Sequence, residues 1–305
     1  MPVWEAEVAI DDALVRALLA EQFPELDAAS ARLLGSGWDN SVWVVEEHWA
    51  FRLPRRAVAA PLVERELTVL PRLAPLLPVA IPEPSFVGTP SRRYPWSFFG
   101  CELLPGREVA ETRRFGGERV RLGAELGRFL RALHDVSART AVDPEGALPV
   151  DPNGRGDMSI RAPRAREQLA ELERLGVWRT PAAVERLLRD AEELPAPSGP
   201  DVLLHGDLHV RHVLVEGGSL SGVIDWGDVC AGDPSIDLQI AWSLLPPEGR
   251  GALFREYGDV DEERALRARV LALSLSAMLA LYGHDVGHAG LLRESLTGLE
   301  RTLVD

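Results

Sequence analysis

The chain has no lysine: all 33 of its basic side chains are arginines. Any task that an amine would perform therefore falls to a guanidinium, which is planar and permanently charged. Only two cysteines, Cys101 and Cys230, occur in 305 residues, which excludes a disulfide framework. MPVWEAEVAIDD at the start lacks a basic segment followed by an apolar run, so no signal peptide is expected. The most apolar stretch, Val270 to Tyr282, contains Ser274 and Ser276 and is too short to cross a bilayer. A cytoplasmic protein with no membrane partner is the expectation. There is no excess of positive charge either. The net charge of −14 argues against nucleic acid as the main partner. It would suit a cationic substrate, although solubility is the stronger explanation. Internal repeats and low-complexity tracts are also missing.

What is present suits a large core divided over two lobes. Residues 11–22 place Leu14, Leu18 and Leu19 on one helical face. LLGSGWDNSVWVV (33–45) reads as strand, glycine turn and strand. EEH (46–48) then turns into a further strand, WAFRL, with Trp49, Phe51 and Leu53 on one side and Arg52 on the other. Pro61 opens a helix running to about Leu70. Residues 75–95 read as a proline-rich connection to SFFGCELL (97–104), a strand broken by Pro105-Gly106-Arg107. The lobe boundary is placed there, with residues 1–101 as the first lobe, 102–106 as a hinge and 107–305 as the second lobe.

Beyond the boundary the pattern turns helical. Leu122, Leu126, Phe129, Leu130 and Leu133 form a buried stripe on 119–134. Residues 141–160 read as a loop, 161–175 and 181–193 as helices, 202–226 as a strand-rich segment, and the remainder as helices. Strands first, then helices with one embedded hairpin, give an α+β fold.

Two acids eighteen residues apart, Asp207 and Asp225, stand out. They lie in HGDLHVRHVLV (205–215) and GVIDWGD (222–228), joined by EGGSL, which reads as a hairpin turn. Pairing of Val213–Val215 with Leu220–Val223 across Gly217-Gly218 brings His212 next to Asp225, with Asp207 one short loop away. That layout can put one carboxylate beside an attacking hydroxyl and the other on a divalent cation. Phosphoryl transfer needs those two jobs and little covalent chemistry besides.

HGDLH…VLV…VIDWGDVCAGDPSIDL resembles the catalytic half of the aminoglycoside phosphotransferase and choline-kinase-like family, relatives of protein kinases. GSGWDNSVWVV, WAFRLPRR and ERELTVLPRL resemble that family's nucleotide lobe, nearest in wording to the aminoglycoside and macrolide branches. The matches run in order from about residue 33 to 245. The resemblance implies a two-lobed kinase-like fold, β-rich in its first lobe and helical in its second. It implies a small-molecule kinase that passes the γ-phosphoryl group of ATP or GTP, with Mg2+, to an alcohol. Aminoglycosides, macrolides, amino alcohols, sugars and small metabolites are all in range, and no oligomeric state follows.

By the same resemblance Asp207 is the catalytic aspartate and Asp225 a magnesium ligand. His212 stands where the family usually has asparagine as the second ligand, a departure, since imidazole prefers softer metals. Gly35, Ser36, Gly37, Asn40 and Ser41, with Asp39, resemble the phosphate-covering loop. Arg52 resembles the strand residue that contacts the phosphates, usually a lysine, and Glu66 its helix partner. The residues support that pair independently. Glu66 falls on the apolar face of Leu62 and Leu70 and needs a cation. Arg52 is a candidate, with Arg65 and Arg56 as alternatives. Main-chain groups near Glu102 and Leu104 would hold the purine.

Asp233 and Pro234 fit an N-cap and first helical position. Asp237 is expected to brace the catalytic loop, and His134 to be structural. Asp228 fits either a metal or an arginine. Asp151, Asp157, Glu256 and Asp259 are candidate receivers of substrate ammonium groups. Two other readings remain: a nucleotide-binding protein without transfer, suggested by His212 and the missing lysine, and a zinc-dependent hydrolase using His205, Asp207, His209 and His212.

Overall fold

The computed structural model describes residues 6–37, 39–112 and 117–304. Trp38 of the GWDN segment lies outside the described residues. Among these, the chain divides into two compact units. The first comprises residues 1–75, 80–104 and 226–228; the second comprises 76–79, 105–225 and 229–305.

Unit 1 contains α1 (Asp12–Gln22), β1 (Arg32–Ser36), β2 (Asn40–Val45), β3 (Trp49–Pro54), α2 (Ala60–Leu73), β4 (Pro84–Gly88) and β5 (Phe98–Glu102). The strands form one antiparallel sheet in the order β1-β2-β3-β5-β4. The sheet is legible from the alternation of Phe51 and Leu53, both fully buried, with the half-buried Arg52. Its core packs α1 (Val15, Leu18, Leu19) against Trp43, Phe51, Tyr94 and Phe98. Asp11 caps α1 by accepting from the Leu14 N–H at 2.8 Å. The β2–β3 turn puts Glu46 and Glu47 in the left-handed region at φ 54° each. Ser30 Oγ accepts the Glu46 N–H at 2.8 Å, and Glu47 pairs with Arg32, fastening this costly turn. The connection at 75–95 contains β4, which the proline content hides. Helix α2 runs three residues beyond Leu70 and takes in Pro71.

Unit 2 contains β6 (Arg107–Glu108), α3 (Glu118–Leu133), α4 (Val136–Val142), α5 (Met158–Arg174), α6 (Ala182–Glu192), β7 (Val202–Leu204), β8 (Val213–Glu216), β9 (Ser219–Val223) and β10 (Cys230–Gly232). It continues through α7 (Ser235–Leu238), α8 (Ile240–Ser243), α9 (Pro247–Tyr257), α10 (Glu262–Asp285) and α11 (Ala289–Arg301). All five apolar stripe positions of α3 are fully buried.

The expected loop at 141–160 is shorter than that, because α4 runs to Val142 and α5 starts at Met158. Strand β7 lies outside the hairpin sheet. It pairs with β10 in a separate two-stranded sheet, while β6 joins the β8–β9 hairpin. Helix α10 has 24 residues and is long and apolar enough by composition to span a bilayer. Most of its apolar window is nevertheless buried in the protein, against α5 and α11.

Candidate active site

The β8–β9 hairpin sets the geometry. Gly217 and Gly218, at φ 56° and 80°, make the left-handed turn that joins the strands. Val213 pairs with Val223 and Glu216 with Ser219, with a bulge at Leu214/Val215. The ladder is extended by the Ile224 N–H donating to the His212 carbonyl at 3.0 Å. Register therefore delivers His212 to Asp225, with Nε2 3.4 Å from Oδ2. Asp225 itself sits at φ 64°, a strained conformation for a non-glycine residue and one concentrated at functional sites.

Asp207 arrives from the loop after β7. Asp237, fully buried, accepts the N–H groups of His205 at 2.7 Å and Gly206 at 3.0 Å, and faces His134 Nε2 at 3.3 Å. It braces that loop, and His134 serves Asp237 and the Tyr257 hydroxyl in turn. Asp233 accepts the Ser235 N–H at 2.9 Å, the capping bond expected of it, just ahead of a helix that starts at Ser235.

The histidines sort by their partners. His205 Nδ1 accepts the Asp207 N–H at 3.2 Å, which leaves Nε2–H to donate to the Ile224 carbonyl at 3.0 Å. Both ring nitrogens are spent, and burial pushes the imidazole's pKa down. His209 Nδ1 accepts the Arg211 N–H, so Nε2–H points to Asp207 Oδ2 at 3.5 Å. His212 Nδ1–H donates to the Asp207 carbonyl at 2.7 Å. Its Nε2 then carries a lone pair, and burial, followed by the stacked His209 ring at 3.7 Å, lowers its pKa and keeps it neutral.

A neutral nitrogen and a carboxylate oxygen, both acceptors, thus face each other at 3.4 Å. That spacing fits two neighbouring ligands of one cation and is otherwise repulsive, so the donor set fits a divalent metal. Asp207, His209 and His212 also lie close enough to share an ion. The zinc reading nevertheless fails, because His205 has no nitrogen to give and His209 directs its proton at Asp207.

Burial alone would raise the pKa of Asp207. The hydrogen bond from His209 and the positive charge of Arg155 outweigh it and hold the carboxyl far below the ordinary carboxylate range. Arg155 was not anticipated: its Nη2 stands 3.3 Å from Asp207 Oδ1. Three of the four proposed ammonium receivers are occupied. Asp151 accepts the N–H groups of Arg155 and Gly156 at 2.7 Å each, Asp157 caps α5 through Ser159, and Glu256 pairs with Arg128. The Asp157-x-Ser159 pattern ahead of an apolar periodicity was a readable capping signal.

In unit 1, Arg52 Nε lies 3.2 Å from Glu66 Oε2, with the carboxylate side chain only 1% exposed. Glu66 Oε1 also accepts the Trp226 N–H at 3.1 Å. The alternative partners are engaged elsewhere, Arg56 with Asp39 and Arg65 with the Gly227 carbonyl. The turn after β1 is closed by the Gly37 N–H donating to the Asn40 carbonyl at 2.8 Å. Arg55 donates to the Gly37 carbonyl at 2.7 Å. Gly35 faces open space where a Cβ would project, whereas Ser41 is buried and its Oγ accepts from Trp43 Nε1 at 3.2 Å. Ser36 pairs with Ser41 across the same turn. Strand β5 leaves its ladder at Glu102, with the Leu103 N–H donating to the His48 carbonyl at 2.7 Å ahead of Leu104.

An antiparallel five-stranded unit bearing a buried cation–carboxylate pair, and a helical unit bearing an Asp–His–Asp cluster on a hairpin, define a kinase-like phosphotransferase. The profile of the phosphotransferase enzyme family matches residues 30–273, and the chain belongs to that family. It resembles an aminoglycoside phosphotransferase solved with GDP and kanamycin, at TM-score 0.68 and 22% identity, over 94% of this chain and 97% of that one. It also resembles the macrolide 2'-phosphotransferase of Brachybacterium faecium, at TM-score 0.62 and 23% identity, over 95% and 98%. Viomycin phosphotransferase of Streptomyces vinaceus is 32% identical over 119 residues, which are 37% of this chain. The match spans 42% of the length of that curated relative.

Proposed function

We propose that the protein transfers the γ-phosphoryl group of ATP or GTP to the hydroxyl of a small molecule. The observation that carries this reading is the convergence of Asp207, His212 and Asp225 at one end of the hairpin. Asp207, ionised and held by His209, accepts a hydrogen bond from the acceptor hydroxyl and orients it for in-line attack. A carboxylate of such low basicity takes the proton late, which suits a loose transition state in which the nucleophile needs little activation beforehand. His212 Nε2 and Asp225 would hold a magnesium ion, whose charge would offset that of the phosphates. In unit 1, Arg52, fixed by Glu66, contacts phosphate, and the main chain at Gly35–Gly37 with Asn40 covers it. Main-chain groups at Glu102 and Leu104 take the base.

Family membership favours transfer over mere nucleotide binding. Relatives that phosphorylate macrolides and viomycin bring antibiotics into the acceptor range, and a cytoplasmic location would supply nucleotide and magnesium. In the decisive experiment, phosphate transfer is followed across an alcohol panel alongside nucleotide-induced thermal stabilisation. Asp207→Asn should abolish transfer and leave the stabilisation nearly intact; turnover by that variant would refute the assignment of Asp207.

A further inference from the structure

The loop from Val150 to Asp157 is fastened to its surroundings at several points. Its start is tied to β10: the Asp151 N–H donates to the Ala231 carbonyl at 2.8 Å, and the Ala231 N–H to the Pro149 carbonyl at 2.9 Å. Asp151 takes a left-handed φ of 36°, which lets its carboxylate turn back onto the N–H groups of Arg155 and Gly156. Arg161 donates to the carbonyls of Gly154, at 3.1 Å, and Asn153. Asp157 then caps α5. The main chain of Arg155 is therefore held on both sides and from below. Its side chain, half-buried, ends 3.3 Å from the catalytic carboxylate. A non-glycine residue held at positive φ is a cost that the surrounding bonds must cover. What they secure here is the placement of one guanidinium.

A guanidinium at that point decides what the carboxylate can accept. Asp207 is already matched to a cation, and the acids flanking the loop, Asp151 and Asp157, are spent on backbone N–H groups. Arg211, four residues on, is a second guanidinium of this neighbourhood and pairs with Glu108 at 3.2 Å. An ammonium brought beside the reacting hydroxyl finds its anion taken and a like charge in place. A hydroxyl flanked by a carbonyl, carboxylate or further hydroxyl finds a donor instead.

We propose that Arg155 sets acceptor specificity, selecting alcohols whose reactive hydroxyl is flanked by neutral or anionic oxygen groups and excluding those flanked by ammonium groups. This rests on the reading of Asp207 as the acceptor-site carboxylate. It separates the chain from a polyamine-modifying role despite its overall negative charge.

The test uses kanamycin as a fixed polycationic probe, titrated by calorimetry into the full-length protein loaded with a non-hydrolysable ATP analogue and magnesium. Wild type and Arg155→Lys should bind it equally weakly. Arg155→Gln should bind at least tenfold more tightly, and Arg155→Glu more tightly again. That order follows charge, and a loop merely damaged by substitution would not reproduce it. Kanamycin affinity that is unchanged or lower in Arg155→Gln and Arg155→Glu would overturn the proposal. So would wild-type affinity as tight as that of the glutamate variant, or an absence of binding by all four proteins. Nucleotide-induced stabilisation of each variant, read separately, reports whether the nucleotide-binding reading itself has failed.

Discussion

Replacing Glu66 by glutamine gives the sharpest quantitative test of unit 1. The substitution keeps size and leaves one oxygen for the Trp226 N–H, while it removes the charge opposite Arg52. At 3.2 Å and an effective dielectric of about 20, the attraction is about 5 kcal/mol. Desolvation of both ions offsets part of it, and breaking such a pair from one side typically costs ~3–5 kcal/mol. Glutamine gives its one oxygen to the Trp226 N–H and turns its amide nitrogen toward the guanidinium, so no acceptor offsets the lost charge and the expected loss is about 3 kcal/mol or more. Arg52→Met alone should cost a similar amount by stranding the carboxylate. The double variant should recover ~2 kcal/mol relative to the sum, because no buried charge is then left unpaired. Urea denaturation of the four proteins measures the cycle. A loss below about 1 kcal/mol for Glu66→Gln, or strict additivity in the double variant, would show that the pair is solvated and that the reasoning is wrong.

His212→Asn should keep or raise magnesium-supported transfer, since the amide oxygen is the harder ligand; complete loss of turnover would show that the imidazole has another task. Asp237→Asn should destabilise the protein by ~2–3 kcal/mol, because Oδ2 and Oδ1 accept the His205 and Gly206 N–H groups separately and one of them becomes a donor facing its N–H. Denaturation midpoints check this, and an unchanged midpoint would contradict it. The pH dependence follows from His205 and His212, whose pKa values burial lowers below those of the unfolded chain. The unfolded state takes up their protons first, so this stability is fully present above about pH 6.5 and declines as pH falls. Between pH 7.5 and 5.5 the two together should remove about 1 kcal/mol or more, and equal stability at both values would count against neutral, buried imidazoles.

The hairpin was legible because a two-glycine turn between apolar runs fixes register, and register alone carries His212 to Asp225. The Arg52–Glu66 pair was legible because a carboxylate on an apolar helix face demands a cation. The pairing of β7 with β10 was not, since two three-residue apolar segments far apart in sequence carry no periodicity to match. Nor was Arg155 at Asp207, across 52 residues, which depends on the positive φ of Asp151 and on the bonds that Asp151 and Arg161 side chains make to the backbone of a loop without regular structure. The acids offered for ammonium binding carry main-chain duties that the sequence hides for a related reason. Asp151 and Asp157 satisfy main-chain N–H groups, and charge counting cannot tell such an acid from one awaiting a ligand.

The arginine that stands opposite Glu66 has a practical consequence. Reagents that acylate or form imines with an active-site amine are widely suited to kinases, whose phosphate-contacting residue is a lysine. No side chain of this chain offers them a nucleophilic nitrogen of that kind. A chemoproteomic survey that tags nucleotide sites through lysine would pass over this protein even when it is abundant and active.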